Sequence, residues 1–208
     1  NLITLNINRI VQDFIRKEYE NAGFRSVINF WSVQEEFKNY LIDILERVYK
    51  YHITYKTMLY EWEDKKMFAS SNGGYINIKD LYSTIGLNGL NEAAEFLGMK
   101  VSNNPEYFEF LQLILGTIKE QNKLHSIHDK KRPFLFNSEV VPAEGLGGKN
   151  YKWDKSDGYW IPEDRNLYNS YFYNAHDDTS VLDKFILHGR QTYQYTDGGF
   201  PPVSYLFV

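Results

Sequence analysis

The sequence predicts a single α/β domain in which short strands are buried by helices. Apolar runs of strand length alternate with segments of helical spacing, and loops rich in Gly, Asn and Ser follow the strands. The 208 residues, 43% hydrophobic and 24% charged, have ordinary globular proportions, and a chain of this length buries roughly 70% of its unfolded surface.

Taken in order, Leu2 to Ile7 is β-rich and apolar and reads as a buried strand. Ile10, Val11, Phe14 and Ile15 recur at helical spacing between Arg9 and Tyr19. Ser32 and Glu35 form a capping-box pattern at the head of a long helix reaching about Lys65. Ser70 to Gly74 is turn chemistry, and Tyr75 to Ile78 reads as a short strand. Ser83-Thr84-Ile85-Gly86 reads as a turn into a helix from Asn88 to Phe96, stopped by Gly98. Asn104-Pro105 opens another helix running to about His128. Phe134 to Val141 reads as a strand, the Gly-rich stretch after Pro142 as a loop, and Leu167 to Tyr173 as a further strand. Asp178 or Thr179 caps a helix to about His188, and Gln191 to Tyr195 reads as a last strand.

Composition excludes several function classes. A formal net charge of −4 gives no basic face for a nucleic-acid backbone. Lys130-Lys131-Arg132 is too short to change that. No apolar run approaches the ~20 residues that span a bilayer, and no signal-peptide pattern is visible, so the cytoplasm is the default expectation. With no cysteine in the chain, disulfides and thiolate metal sites are excluded. Aromatic residues are abundant, 17 of them tyrosines, which predicts rings in grooves and half-buried edges. The chain opens inside an apolar alternation at Asn1, which suggests an excised or processed piece.

Several residues are candidates for chemistry, each with a bland alternative. Ser83 and Thr84 offer hydroxyls and backbone N–H groups to an anion, or simply make a tight turn. Gly198 and Gly199 allow backbone to approach a phosphate, or form an ordinary glycine turn. Glu139 and Glu144 flank a strand end, where a carboxylate accepts ribose hydroxyls, moves a proton or merely solvates a rim. Asn169 and Ser170 sit among Tyr168, Tyr171, Phe172 and Tyr173, and buried polar groups there need partners. His125 and His128 have metal-ligand spacing on one helix face, but Lys130 and Lys131 follow, and a surface helix end is favoured. The acidic run from Asp154 to Asp164 lacks the EF-hand pattern and reads as a solvated loop.

Five blocks together resemble the anaerobic, class III ribonucleotide reductase large subunit. Ile3 to Ile10 is similar to that family's V-T-x-N-L-P-R-I strand, with Asn8 where proline is usual. Ser83 to Gly86 with Gly89 to Glu92 resembles its S-T-I-G-x-x-G-L-N-E block. Pro142-Ala143-Glu144 resembles its P-A-E turn, Tyr168-Asn169-Ser170 its Y-x-N-S strand, and Gly198-Gly199 its G-G-S loop. The resemblance implies an α/β fold, half of a ten-stranded barrel of the ribonucleotide reductase/pyruvate formate-lyase kind. Residues 1–199 would be the second half-barrel, and the FPPVSYLFV stretch from Phe200 to Val208 an atypical tail.

The implied activity is radical reduction of ribonucleoside triphosphates to deoxyribonucleoside triphosphates. The implied substrate-binding residues are Asn6, Ser83, Thr84, Glu144, Asn169, Ser170, Gly198 and Gly199. Ser83, Thr84, Glu144, Gly198 and Gly199 would line the phosphate and ribose side, with Asn6 and Asn169 near the sugar. No catalytic residue and no metal ligand is expected within the chain. The family's thiyl cysteine, glycyl radical, zinc site and ATP/dNTP effector sites fall outside this segment. Implied partners are the remaining parts of the reductase, a radical-SAM activating enzyme and a second copy in a homo-oligomer. Alone, the chain is expected to be inactive; the alternatives are a non-catalytic nucleotide- or partner-binding half-barrel and a purely structural one.

Overall fold

The structure, a computed structural model, describes residues 1–21, 29–140, 144–174 and 180–198, apart from the side chains of Glu144 and Thr192. Strand β1 (Leu2–Asn6) runs directly into α1 (Ile7–Asn21), and α2 (Gln34–Asp64) follows. After the short α3 (Ala69–Asn72) come β2 (Tyr82–Asn88), α4 (Leu90–Phe96), α5 (Pro105–His125) and β3 (Leu135–Glu139). Helices α6 (Glu144–Ser156) and α7 (Val181–Tyr195) complete the described elements. The strands form one parallel sheet in the order β1-β2-β3, with Thr4 opposite Gly86 and Gly86 opposite Glu139. An isolated parallel bridge between Glu139 and Gly198 extends the row past β3.

Strand pleating sorts the sheet into two unlike faces. Ile3, Leu5, Ile85, Leu87 and Phe136 join the hydrophobic core beneath the helices. The alternate positions are Leu2, Tyr82 and Leu135 at the amino-terminal edge, then Thr4 and Asn6 on β1, Thr84, Gly86 and Asn88 on β2, and Asn137 and Glu139 on β3. A parallel sheet usually carries apolar residues on both faces because helices cover both. Here the second face is polar beyond that edge, so its carboxyl-terminal part faces something other than a helix layer of the usual kind.

Helix spacing explains the core. α1 buries Ile7, Val11, Phe14 and Ile15 on one stripe. α2 is 31 residues long and buries Phe37, Leu41, Leu45, Val48, Tyr49, His52, Lys56 and Tyr60. Tyr49 stacks on His125 at 4.0 Å and donates its hydroxyl to Asn122 Oδ1 at 2.8 Å, locking α2 to α5. Asn104 caps α5 by accepting from Tyr107 N at 2.9 Å, with Pro105 in the first turn, as the sequence predicts.

Several expectations are corrected. Ser32 and Glu35 make no capping box; Asn29 caps a 3-10 turn over Phe30–Val33, and α2 begins after it without a side-chain cap. The stretch from Tyr75 to Ile78 is not a strand; Ile78–Asp80 is a 3-10 turn leading into β2. Ser83 to Gly86 is not a turn but the middle of that central strand, and the helix starts at Leu90, after Gly89 at φ +79°. The Gly-rich stretch after Pro142 is helical from Glu144. Leu167 to Tyr173 is irregular chain rather than a strand, and Gln191 to Tyr195 continues α7. His125 is the last residue of α5 and half-buried, where it packs on Tyr49 and bonds Glu46 at 2.9 Å, while His128 is exposed beyond the helix. Ser180 supplies the α7 cap, its Oγ accepting from Asp183 N at 3.1 Å. The candidates Asp178, Thr179, Pro142, Ala143 and Gly199, and the tail at 200–208, lie outside the described residues. Among the described residues no helix is long and apolar enough to cross a membrane.

Candidate functional site

Parallel strands bring all their carboxyl ends to one edge, where α/β proteins collect ligand-facing groups. Here Asn6, Asn88 and Glu139 end β1, β2 and β3. Above Asn6 and Asn88 the polar face is closed by α6 and the segment at 167–174. The closure is a hydrogen-bond network centred on Asp154, whose side chain is 0% exposed.

Asp154 accepts from Asn6 Nδ2 at 3.0 Å, Arg9 Nε at 2.7 Å, Asn8 Nδ2 at 3.3 Å and the Tyr168 hydroxyl at 2.8 Å. Asn8 also donates to Tyr168 Oη at 2.8 Å, and Gln12 ties Asn8 to the Trp160 backbone. Burial and the bond to Asp154 raise the Tyr168 hydroxyl pKa far above the usual phenol range, so it remains a donor. The acidic run is therefore not a solvated loop at this position. Asp154 is the anchor of α6, and composition alone hides that because the partners come from β1, α1 and residue 168.

Asn88 is equally engaged. Its Nδ2 donates to Tyr168 O and Ser170 Oγ, both at 3.3 Å, and its Oδ1 accepts from Asn150 Nδ2 at 2.9 Å. Two glycines allow the close docking. Gly89 N donates to Asn169 O at 3.0 Å, and a Cβ on Gly147 would lie 2.3 Å from Tyr168 O. The irregular backbone at 168–170 thus bonds α6 and the end of β2 instead of a neighbouring strand, which is why its aromatic, β-prone sequence misleads.

A second buried network holds the same segment from α4. Glu92, 0% exposed, accepts from Arg165 Nε at 3.0 Å, while Arg165 also pairs with Glu95 and with Asp164 at 2.9 Å. Burial pushes the Glu92 carboxyl up to about 7, against the pull of Arg165. Asn91 accepts from the Tyr107 hydroxyl at 2.8 Å and donates to Asn174 at 3.2 Å. The Asn91-Glu92 pair of the sequence motif is thus a buried anchor.

The candidate residues divide accordingly. Asn6, Asn169 and Ser170 are brought together around Asn88, but as members of this scaffold: Asn6 serves Asp154, and Asn169 Nδ2 reaches Asn174 at 3.4 Å. Ser83 is buried on the helix-facing side of β2. Thr84 lies on the polar face with Thr4 and Glu139, all three half-buried. Gly198 sits against Glu139, where a Cβ would come within 2.8 Å of Cγ. Glu144 begins α6. Glu139 Oε1 accepts from Asn137 Nδ2 at 2.7 Å, fixing the carboxylate on the polar face. Sequence reasoning missed Asn8, Asp154 and Arg165; the departure from proline at Asn8 is the one signal that marks the first.

Comparison with known proteins fits this arrangement. The chain is similar in structure to the anaerobic ribonucleotide reductase from Thermotoga maritima with glycerol in the active site, at TM-score 0.75 and 19% identity over 95% of this chain. The same enzyme in complex with dATP and CTP gives 0.74 and 19% over 95%, and with MES in the active site 0.74 and 19% over 98%. Those matches cover 30%, 31% and 33% of the solved chains, so this chain spans about a third of their length. No curated protein matches it in sequence. The likeness establishes the fold as α/β and part of that enzyme's barrel. In sequence, residues 1–208 match the anaerobic ribonucleoside-triphosphate reductase profile throughout, and the chain belongs to that family.

Proposed function

We propose that this chain forms a substrate-facing wall of the catalytic barrel of an anaerobic ribonucleoside-triphosphate reductase. The observation that carries the reading is the polar inner face of a parallel sheet, opened at Thr4, Thr84 and Glu139 and closed beside them by buried networks. Such a face binds a hydroxyl-rich ligand and holds it in one orientation. Thr84 and Gly198 line its ribose and phosphate side; Asn6, Asn169 and Ser170 hold the loop that borders the sugar. Ser83 supports the strand from behind.

The family's radical chemistry removes a ribose hydrogen through a thiyl formed by a glycyl radical. This chain contains no cysteine, so its residues do not fit that role and act by binding, orienting and excluding water. The family's glycyl radical, zinc site and ATP/dNTP effectors, its radical-SAM activating enzyme and a second copy in a homo-oligomer are part of the same proposal, with no residue of this chain assigned to them.

The test is complementation under anaerobic conditions. The chain with its activating enzyme should form no deoxynucleotide, and adding the remainder of a family reductase that lacks this segment should restore formation. If the chain stays inert in the complemented assembly yet binds ribonucleotide by itself, the non-catalytic nucleotide-binding reading replaces this one.

A further inference from the structure

Behind the sheet, a cavity of about 530 Å³ opens between α5, β3 and the end of α7. Phe136 in its wall belongs to the helix-facing row of β3, so the sheet lies between this cavity and the polar face. Asn122 and Phe136, 4% and 6% exposed, form the deep part of the wall. The half-buried Tyr195 adds a second ring, packed beside the helix backbone 3.7 Å from where a Cβ on Gly116 would sit.

The Asn122 side chain is only half satisfied. Its Oδ1 accepts from the Tyr49 hydroxyl at 2.8 Å, while its buried Nδ2 has no partner among the described residues. Tyr49 fixes the amide that way round. Burial keeps the Tyr49 hydroxyl protonated, and as a donor it needs the amide oxygen rather than the NH2 group. A buried donor without an acceptor is a cost to the fold that a bound acceptor removes.

The charges at the rim do not select an ion. Lys119 donates to Gln194 O, Glu120 pairs with Lys38 at 3.6 Å, and Asp197 accepts from Ser138 N at 3.0 Å. With the exposed Lys123, two lysines stand against two carboxylates. A carboxylate drawn down to Asn122 would bury its charge against one neutral donor and two rings, a desolvation that a single hydrogen bond does not repay. A neutral carbonyl gains the same bond without that cost, and a flat body attached to it packs on Phe136 and Tyr195.

We propose that this cavity binds a flat, uncharged ligand carrying a carbonyl group, of the aromatic amide or lactam class, whose oxygen accepts from Asn122 Nδ2. The cavity takes this ligand whatever the polar face of the sheet binds.

The experiment titrates the full chain with benzamide, benzoate and toluene, read by ligand-observed NMR. The variants are Tyr49→Phe, Tyr49→Phe/Asn122→Leu and Tyr195→Ala. The double substitution removes both partners of the buried bond together, so no hydroxyl is stranded. Expected is saturable benzamide binding in roughly the millimolar range, about tenfold tighter than benzoate or toluene. Tyr49→Phe should leave that affinity within about threefold, and the double substitution should lower it by about tenfold without weakening toluene. Tyr195→Ala should weaken benzamide and toluene alike, a readout that survives if the double variant does not fold. Benzoate binding more tightly than benzamide would make this an anion site and overturn the assignment. No benzamide binding, or binding indifferent to the double substitution or to Tyr195→Ala, would overturn it as well.

Discussion

Replacing Asp154 by alanine should destabilise the protein by about 3–5 kcal/mol, the usual result of removing one partner from a buried charged cluster. The structure lets this be built up from the pieces. Asp154 accepts from Asn6, Asn8, Arg9 and Tyr168. Arg9 is 30% exposed and retains Asp157 at 2.6 Å, so it turns to solvent at little cost. Tyr168 cannot, being 1% exposed, whereas Asn8 keeps the Tyr168 hydroxyl and Trp160 O as acceptors. Each buried donor stranded without an acceptor costs roughly 1–3 kcal/mol. Tyr168→Phe removes one donor to Asp154 and one acceptor of Asn8 Nδ2, which keeps Trp160 O, and should cost about 1–2 kcal/mol. Asp157→Ala, at an exposed pair, should stay within about 1 kcal/mol. The assay is urea unfolding. With a slope of about 2 kcal/mol per molar, Asp154→Ala should lower the midpoint by about 1.5–2.5 M at unchanged slope. A shift for Asp154→Ala no larger than that for Asp157→Ala would refute the argument that this carboxylate anchors α6.

Gly147→Ala should destabilise by about 1–3 kcal/mol or more, because the added carbon meets backbone rather than a movable side chain. Gly148→Ala, with nothing within 4 Å of its Cβ, should stabilise by about 0.5–1 kcal/mol through helix propensity; thermal melts of the two should move in opposite directions. Burial pushes His52 down to about 4. Its neutral ring therefore adds stability that is complete above about pH 6.5 and lost as pH falls towards 4, up to about 3 kcal/mol. Glu92, raised to about 7 by burial, acts with the opposite sign: the folded state binds the extra proton, and stability is lost as pH rises from about 4.5 to 7. The two slopes oppose each other between about pH 4.5 and 6.5. In denaturant titrations across that window, His52→Leu should make stability fall with pH and Glu92→Gln should make it rise; parallel profiles would contradict both assignments.

The helical half of this fold is legible because helix spacing and caps are local. The stripes of α1, α2 and α5 and the Asn104-Pro105 start can be read from one window of sequence. The errors fall where long-range contacts decide. Ser83 to Gly86 looks like a turn because its Ser and Gly are weak strand formers, yet Thr84 and Ile85 favour a strand, and the central strand places Ile85 in the core and Thr84 and Gly86 on the polar face. The glycines at 145, 147 and 148 suggest a loop, although Gly147 is required by the approach of Tyr168 to a helix. Leu167 to Tyr173 has the composition of a strand, but its backbone groups are bonded by Gly89, Asn88 and Gly147. At the candidate site, the motif blocks converge on the polar face of the sheet and its border. They do not distinguish Thr84 and Glu139, which face the opening, from Ser83 and Asn6, which serve the scaffold. That distinction depends on strand register and on Asp154, more than sixty residues from either.

The contact between Gly147 and Tyr168 sets a spacing by main chain against main chain. Most distances in a protein are adjustable by substitution, since a larger or smaller side chain moves two elements apart or together by fractions of an ångström. This one has a lower limit and no dial: every residue other than glycine forces α6 away from the 168–170 segment. Variation in the breadth of the neighbouring opening must then come from the far side of the sheet, around Thr4, Thr84 and Glu139, while the border formed by α6 stays where the bare backbone puts it.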